Sequence, residues 1–155
     1  MKKQSRIENL ISKFLQLHDR KIDLSLDRIN RLNKDLKINI DNLQAKTVTL
    51  SGTNGKWSTA ITIRSIFEAA GYKVDLFTSP HVQSYTERFI FESKEISEEN
   101  LFDLLSEVES KNNSKPITVF ELLTSAFYFY SASKSKSDVV IAENGLFQRY
   151  DSVSS

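Results

Sequence analysis

The stretch from Thr47 to Thr59 constrains the fold of this 155-residue chain more than any other segment. Val48 and Leu50 lie in a β-branched run that predicts a buried strand, and a loop with two glycines and then a helix follow it. This order of strand, glycine loop, lysine, hydroxyl and helix is the layout of a phosphate-binding loop. Because the N–H groups at a helix start have no partner and the helix dipole is positive there, an anion is favoured at that position.

Three residue types in the loop suit a phosphate. Gly52 and Gly55 let the backbone approach it closely, Lys56 places a positive charge on it, and Ser58 or Thr59 supplies a hydroxyl for a magnesium ion. The strict pattern G-x-x-x-x-G-K-[ST] is not met, and a plain glycine turn that begins a helix is the alternative interpretation. Two of the four glycines of the chain lie in this loop, which favours phosphate binding.

Composition excludes several classes of function. A hydrophobic fraction of 39% and a charged fraction of 26% are typical of one globular domain, and a net charge of +1 argues against a nucleic-acid partner. The absence of cysteine excludes disulfides, a thiol nucleophile and a thiolate zinc site. Because the sequence shows neither a secretory leader nor a run of membrane-spanning length, we expect a cytoplasmic protein without a membrane partner.

Apolar spacing predicts strands that alternate with helices. Helices are predicted over residues 5–18, from a Ser25 cap to Leu36, from Ser58 to Ala70, and onward from Ser97 and from Thr118. Gly71 is predicted to end the third of these helices. Besides the first strand, strands are predicted at 74–77 and 138–142, with a loop at 37–45 and a linker at 110–116. The alternation predicts an α/β fold with a parallel sheet and right-handed crossovers.

Polar residues at the predicted strand ends are candidates for the same site. Ser79 and His81 follow the second strand and Glu143 follows the third, at the edge where open α/β sheets bind ligands. A carboxylate beside a phosphate loop is a typical magnesium partner, which makes Glu143 the metal candidate. For Ser79, a plain Ser-Pro turn is the competing interpretation.

Other charged residues have structural interpretations. Asp27 and Arg28 are predicted to be a solvated first turn, and Glu87 and Arg88 a surface pair. Thr118 to Glu121 forms a capping-box pattern, so a functional role of Glu121 must compete with its role as the partner of the cap. The dense aromatic residues of the helix that follows are predicted to belong to the core.

Several motifs in order and spacing resemble those of one family. They are Ile22-Asp23-Leu24 with Arg28, Gly52-Thr53-Asn54-Gly55-Lys56-x-Ser58, Ala70-Gly71-Tyr72-Lys73-Val74, Thr78-Ser79-Pro80-His81, Tyr85-Thr86-Glu87-Arg88, Phe120-Glu121, and Glu143-x-Gly145-Leu146-x-x-Arg149-x-Asp151. The chain thereby resembles the folylpolyglutamate synthase/dihydrofolate synthase family of Mur-ligase-like, ATP-dependent amide ligases. The resemblance runs over residues 20–151 and covers only the front part of the ATPase domain of a family member.

The resemblance implies a P-loop-type parallel sheet flanked by helices, as a truncated Mur-ligase-like central domain. Residues 1–155 would be a single, partial ATP-binding domain, in which residues 1–45 are a helical N-terminal segment. The implied activity transfers the γ-phosphate of ATP to a carboxylate of dihydropteroate or folate, after which the amine of L-glutamate displaces the phosphate. The implied cofactors are ATP and Mg²⁺, and the implied partners are these small molecules and a missing C-terminal part or chain.

The resemblance also assigns roles to residues. The implied contacts with ATP are Gly52, Thr53, Asn54, Gly55, Lys56 and Ser58, with Lys56 as the catalytic residue. The implied metal ligands are Ser79 and Glu143. The implied contacts with the pterin substrate are Asp23, Leu24, Thr118, Val119, Phe120, Glu121, Arg149, Tyr150 and Asp151.

The chain departs from the family pattern at several glycines. Family members have glycine at Trp57, Phe147 and Gln148, and usually at Ser25 and Asp75. Three placements of the Trp57 indole are open: it stacks on the nucleotide, packs under the neighbouring loop, or obstructs the site. The third metal-ligating histidine and the modified lysine of the family lie beyond Ser155, so we expect a front fragment that is not active alone. The alternatives are a non-catalytic nucleotide-binding remnant or binding module and, less well matched to the motifs, an unrelated P-loop kinase or NTPase.

Overall fold

A computed structural model describes residues 6–16, 25–38 and 46–145 and positions 151 and 153. The helices in chain order are α1 (Arg6–Gln16), α2 (Asp27–Asp35), α3 (Lys56–Ala69), α4 (Glu98–Asn112) and α5 (Val119–Ser133), with a short 3₁₀ helix at Tyr85–Arg88. The strands are β1 (Lys46–Leu50), β2 (Val74–Phe77), β3 (Phe89–Phe91), β4 (Lys94–Glu95) and β5 (Val139–Glu143). Within the described part of the chain, no helix is long and apolar enough to span a membrane.

The five strands form one mixed sheet in the order β1-β5-β2-β3-β4. The predicted parallel arrangement is confirmed for β1, β5 and β2, whose connections pass through helices. The sequence analysis did not predict β3 and β4, which add to β2 in antiparallel orientation. Leu50 pairs with Glu143 and Phe77 with Ala142, so the three parallel strands end at nearly the same level of the sheet.

The alternation of side chains along the strands separates two apolar layers. Phe77, Val140 and Ala142 face the larger layer, which includes residues of α1, α2, α4 and α5. Leu76 and Ile141 face the smaller layer, which α3 covers. The aromatic residues of α5 lie in the larger layer, which confirms that they belong to the core.

Several predicted element ends differ from the observed ones. Helix α2 begins after Leu26, not after a Ser25 cap, although the Ser25 hydroxyl accepts a 3.3 Å hydrogen bond from Asp27 N–H. Helix α3 begins at Lys56, two residues before the predicted start at Ser58, because its first turn continues directly from the glycine loop. Helix α4 runs to Asn112, into the predicted linker.

The predicted caps are otherwise confirmed. The Ser97 side chain accepts a hydrogen bond from Asn100 N–H, and Thr118 and Glu121 form a complete capping box. Gly71 follows α3 with φ +88°, the left-handed conformation that ends many helices. Residues 5, 17 and 18 of the first predicted helix and residues 39–45 of the predicted loop lie outside the described residues.

Candidate functional site

The loop between β1 and α3 has the geometry of an anion-binding loop. Gly55 has a φ of +77°, a backbone conformation that residues other than glycine rarely adopt. Its carbonyl accepts a 2.9 Å hydrogen bond from Thr59 N–H. Among the described residues, no side chain caps the first turn of α3 and no acid lies in that turn. The helix therefore begins with N–H groups that no described side chain satisfies, at the positive end of its dipole.

Lys56 and Glu143 meet at the carboxyl edge of the parallel strands. The Lys56 Nζ donates a 2.9 Å hydrogen bond to the Gly52 carbonyl and lies 3.8 Å from Glu143 Oε1. Side-chain alternation along β5 places Glu143 on the same face as Val139 and Ile141, which is the face that α3 covers. The fold thus brings the loop lysine Lys56 close to the carboxylate of Glu143, although the two residues are far apart in the sequence.

The Glu143 carboxyl is buried and accepts a 3.1 Å hydrogen bond from Ser79 N–H. Burial raises the pKa of Glu143, and the Ser79 hydrogen bond and the charges of Lys56 and Arg88 offset only part of this effect. A cation bound beside this buried carboxyl would stabilise its ionised form and so lower its pKa. The structure therefore places Ser79, Lys56 and Glu143 around one edge of the sheet.

The donor set at this edge fits a magnesium ion. The Glu143 carboxylate and the Ser79 hydroxyl are hard oxygen ligands of the kind that Mg²⁺ prefers. Within residues 6–16, 25–38, 46–145, 151 and 153, no group of three or more His, Asp or Glu side chains could hold a metal. Mg²⁺ is usually bound by one or two protein ligands together with water and substrate phosphates.

His81 follows β2 in the sequence and accepts a hydrogen bond from Arg88. The Arg88 Nε–H donates a 2.9 Å hydrogen bond to His81 Nδ1, and the imidazole lies against the Tyr85 ring with a centroid distance of 4.2 Å. Burial and then the charge of Arg88 lower the pKa of His81. A neutral imidazole that accepts at Nδ1 orients the arginine, whose charge acts on Glu143.

The prediction that Glu87 and Arg88 form a surface pair is wrong. The Glu87 carboxylate accepts hydrogen bonds from the N–H groups of residues 82–84, which lowers the pKa of Glu87. Arg88 is partly buried and turns to His81 instead. The two side chains point apart because Glu87 belongs to the capping box of the 3₁₀ helix, whereas Arg88 is the last residue of that helix and is partly buried.

The prediction of a solvated turn at Asp27 and Arg28 is also wrong for Arg28. Its guanidinium makes two 3.1 Å hydrogen bonds to the two carboxylate oxygens of Glu121. The same carboxylate accepts a 2.8 Å hydrogen bond from Thr118 N–H. Glu121 therefore joins α2 to the start of α5, and its carboxylate is engaged by protein groups.

The start of α5 also approaches the segment after β5. A Cβ on Gly145 would lie 2.7 Å from Phe120 Cζ, so the Phe120 ring packs directly on the glycine backbone. Val119 beside it is half-buried. Asp151 is buried, accepts a 2.9 Å hydrogen bond from Val153 N–H, and its charge adds to the burial that raises the pKa of Tyr128.

The remaining predicted site residues divide into two groups. Thr53, Asn54 and Ser58 are exposed around the glycine loop. Four residues with an implied role in substrate binding, and two glycine replacements, lie outside the described residues: Asp23, Leu24, Arg149, Tyr150, Phe147 and Gln148.

Comparisons with known proteins agree on one relationship. No family model matches the chain. The chain is 35% identical over 148 residues to the dihydrofolate synthase/folylpolyglutamate synthase of Escherichia coli K12, and the match covers 95% of this chain and 34% of the relative. The structure of Escherichia coli FolC in complex with DHPP and ADP has a TM-score of 0.86 and 35% identity, covering 96% of this chain and 35% of that one. Over 95% of its length the chain is thus a homologue of about one third of the dihydrofolate synthase/folylpolyglutamate synthases.

A further synthase of this family matches equally broadly. The bifunctional folylpolyglutamate synthase/dihydrofolate synthase from Yersinia pestis, complexed with AMPPNP and Mn ion, has a TM-score of 0.82 and 33% identity. The match covers 96% of this chain and 35% of that one. The chain thus spans about a third of the length of the synthases it matches.

Among the residues that the sequence analysis assigned to the surface, Arg28 and Arg88 make contacts that it missed. Both occur within the motifs that resemble those of the synthase family, which was the available signal. The interpretation of Arg28 and Arg88 as surface charges was wrong because their contacts with Glu121 and His81 depend on how the elements pack. The spacing of residues along the sequence does not encode these contacts.

Proposed function

We propose that the chain is the ATP-binding part of an ATP-dependent ligase that adds L-glutamate to dihydropteroate or a folate. It would form one partial ATP-binding domain over residues 1–155, with residues 1–45 as a helical N-terminal segment, and would act in the cytoplasm. The names of the related synthases support the ligase activity, and the ADP, AMPPNP and Mn ion in the matching structures support a nucleotide and a divalent cation.

One observation carries the proposal: Lys56 Nζ lies 2.9 Å from the Gly52 carbonyl and 3.8 Å from Glu143. An uncapped helix start, a lysine on the loop and a buried carboxylate at the neighbouring strand end together suit a phosphate with its cation. A plain glycine turn would not need the lysine to fold back over the loop towards a carboxylate at the adjacent strand.

The loop residues would bind the phosphates of ATP through backbone N–H groups, the Lys56 charge and nearby hydroxyls, namely Gly52, Thr53, Asn54, Gly55, Lys56 and Ser58. Ser79 and Glu143 would hold the divalent cation, which would neutralise charge on the phosphates when bound. Arg88, which donates a hydrogen bond to His81, adds a positive charge that acts on Glu143.

The acceptor would lie among the segments before α2, at the start of α5 and after β5, which hold Asp23, Leu24, Thr118, Val119, Phe120, Glu121, Arg149, Tyr150 and Asp151. Because the Glu121 carboxylate is engaged by Arg28 and Thr118 N–H, its proposed part is to shape this surface. The half-buried Phe120 ring is the apolar group that a flat acceptor would meet there.

The proposed reaction has two steps. A carboxylate oxygen of the acceptor attacks the γ-phosphorus of ATP, the bond to the β–γ bridging oxygen breaks, and ADP leaves. The amine of L-glutamate then attacks the acyl carbon, phosphate leaves with the bonding electrons, and the nitrogen loses a proton. The protein contributes positioning and charge stabilisation, in which Lys56 would act on the transferred phosphoryl group.

The site is tested by thermal unfolding of the whole chain with and without Mg-ATP. Binding at 100 times the dissociation constant would add about 2.7 kcal/mol to the free energy of unfolding. Lys56→Ala should abolish the increase in unfolding temperature, whereas Lys111→Ala, an exposed lysine at the end of α4, should leave it unchanged. If the parent protein shows no increase, the proposed site is wrong.

Ligation itself is tested by ADP release that depends on L-glutamate and on dihydropteroate or a folate, measured with a coupled assay on the chain alone and after the missing C-terminal part is added. The chain alone should release no ADP, addition of the C-terminal part should restore release, and Lys56→Ala should abolish the restored release. Mg-ATP binding without any release after the C-terminal part is added would favour the nucleotide-binding module over the ligase.

A further inference from the structure

Trp57 is the only tryptophan of the chain and stands directly after the loop lysine. The residue is 58% exposed on the first turn of α3. Among the described residues, no aromatic ring or cation stacks on the indole. In the part of the chain that the structure describes, the Trp57 indole therefore stays largely accessible.

The periodicity of α3 shows which way Trp57 is directed. Residues three and four apart share a helix face, so Trp57 lies on the face of Ala60 and Ile61. Ala60 is fully buried and Ile61 is half-buried, and both pack in the layer between α3 and the sheet. Trp57 continues this sheet-facing stripe by one turn towards the helix start, where the strands have ended.

Helical side chains lean towards the N-terminus of their helix, which carries the indole further over the glycine loop. The neighbouring hydroxyls of α3 turn back onto the helix: Thr59 Oγ1 donates to the Gly55 carbonyl at 2.9 Å and Thr62 Oγ1 to the Ser58 carbonyl at 2.8 Å. The large side chain at the rim of the proposed phosphate site is thus the exposed indole of Trp57.

We propose that Trp57 stacks on the base of the nucleotide whose phosphates lie in the glycine loop. This inference rests on the proposed function and adds a specificity-determining residue to it. An indole offers a flat apolar face to any base, and stacking of this kind raises affinity without hydrogen-bond readout. Trp57 therefore distinguishes a nucleoside triphosphate from the bare triphosphate chain.

The experiment compares ATP with inorganic tripolyphosphate, both with Mg²⁺, by isothermal titration calorimetry on the whole chain. Trp57→Ala should weaken ATP binding about tenfold and leave tripolyphosphate binding unchanged, because only ATP carries a base. Trp57→Phe should keep most of the ATP affinity. Ile66→Ala removes another exposed apolar side chain of α3, 62% exposed and more than two turns away, and should change neither affinity.

The single tryptophan supplies a second readout. The indole fluorescence of the parent protein should change on addition of ATP and stay constant with tripolyphosphate. Unchanged or tighter ATP binding by Trp57→Ala would overturn the proposal, and tighter binding would identify the indole as an obstruction. An equal loss for ATP and tripolyphosphate would also overturn it. If the parent protein binds neither ATP nor tripolyphosphate, the proposed phosphate site is wrong, and the proposal that Trp57 stacks on the base is then wrong as well.

Discussion

Glu143 is the residue at which stability and proposed function oppose each other. Burial raises its pKa above the ordinary value of 4.5, so folding favours the protonated form. This contribution to stability is fully present below the unfolded-state pKa and is lost as the pH rises through the higher folded-state pKa. Ionisation of the Glu143 carboxyl therefore costs more free energy in the folded protein than in the unfolded chain.

We predict that Glu143→Gln raises the unfolding temperature of the nucleotide-free protein at pH 7. The amide keeps the shape of the side chain and removes the buried charge. The difference between the variant and the parent should disappear below about pH 4, where the carboxyl is protonated in both states. The same variant should lose stabilisation by Mg-ATP, measured by differential scanning calorimetry. A lower unfolding temperature at pH 7 would mean that the contacts with Lys56 and Ser79 outweigh burial.

At the scale of elements, the pair of Arg28 and Glu121 holds α2 against the start of α5. The two side chains are 15% and 5% exposed, and two hydrogen bonds join them. Removal of one partner leaves a buried charge without compensation. We predict that Arg28→Met lowers the free energy of unfolding by about 3 to 5 kcal/mol, measured by urea denaturation.

Two variants make this prediction specific. Adding Glu121→Gln to Arg28→Met should recover part of the loss, because the amide oxygen can still accept the hydrogen bond from Thr118 N–H. Lys134→Met breaks the exposed pair of Lys134 and Glu107, 43% and 41% exposed, and should cost less than about 1 kcal/mol. Similar losses for Arg28→Met and Lys134→Met would refute a special role of the buried pair.

At the scale of the whole molecule, the sheet separates the layer that holds most of the core from the layer that carries the loop helix. Phe127 is fully buried in the larger layer and its ring stacks on Phe77 and Phe91 at centroid distances of 5.3 and 5.6 Å. Lys56 and the glycine loop belong to the α3 side of the sheet. The two layers should therefore respond separately to substitution.

We predict that Phe127→Ala lowers the free energy of unfolding by about 3 to 5 kcal/mol, as expected for a large cavity in a core. The stabilisation that Mg-ATP adds to the folded variant should keep its size. Lys56→Ala should differ from Phe127→Ala in one quantity, because Mg-ATP should no longer add any stabilisation to the folded variant. Urea denaturation with and without the ligand measures both quantities. A parallel loss of both in Phe127→Ala would show that the layers are coupled.

The sequence by itself determined the features that a few neighbouring residues encode. The glycine loop, the caps at Ser97 and Thr118 and the left-handed Gly71 depend on backbone conformation within one or two turns. The alternation of strands and helices likewise predicted the three parallel strands, and with them the common edge at which Glu143 ends β5. Shared motifs carried the family relationship for the same reason, because they preserve residue order.

Only the tertiary structure decided which distant groups meet. Arg28 and Glu121 are 93 positions apart, and nothing near either residue marks the other as its partner. The antiparallel strands β3 and β4 are too short for a clear alternation, so their pairing with β2 depends on the chain reversal around them. The close packing of Phe120 on Gly145 and the exposure of Trp57 also follow from where whole elements come to lie. Local spacing encodes backbone conformation, whereas burial and pairing depend on how the layers pack.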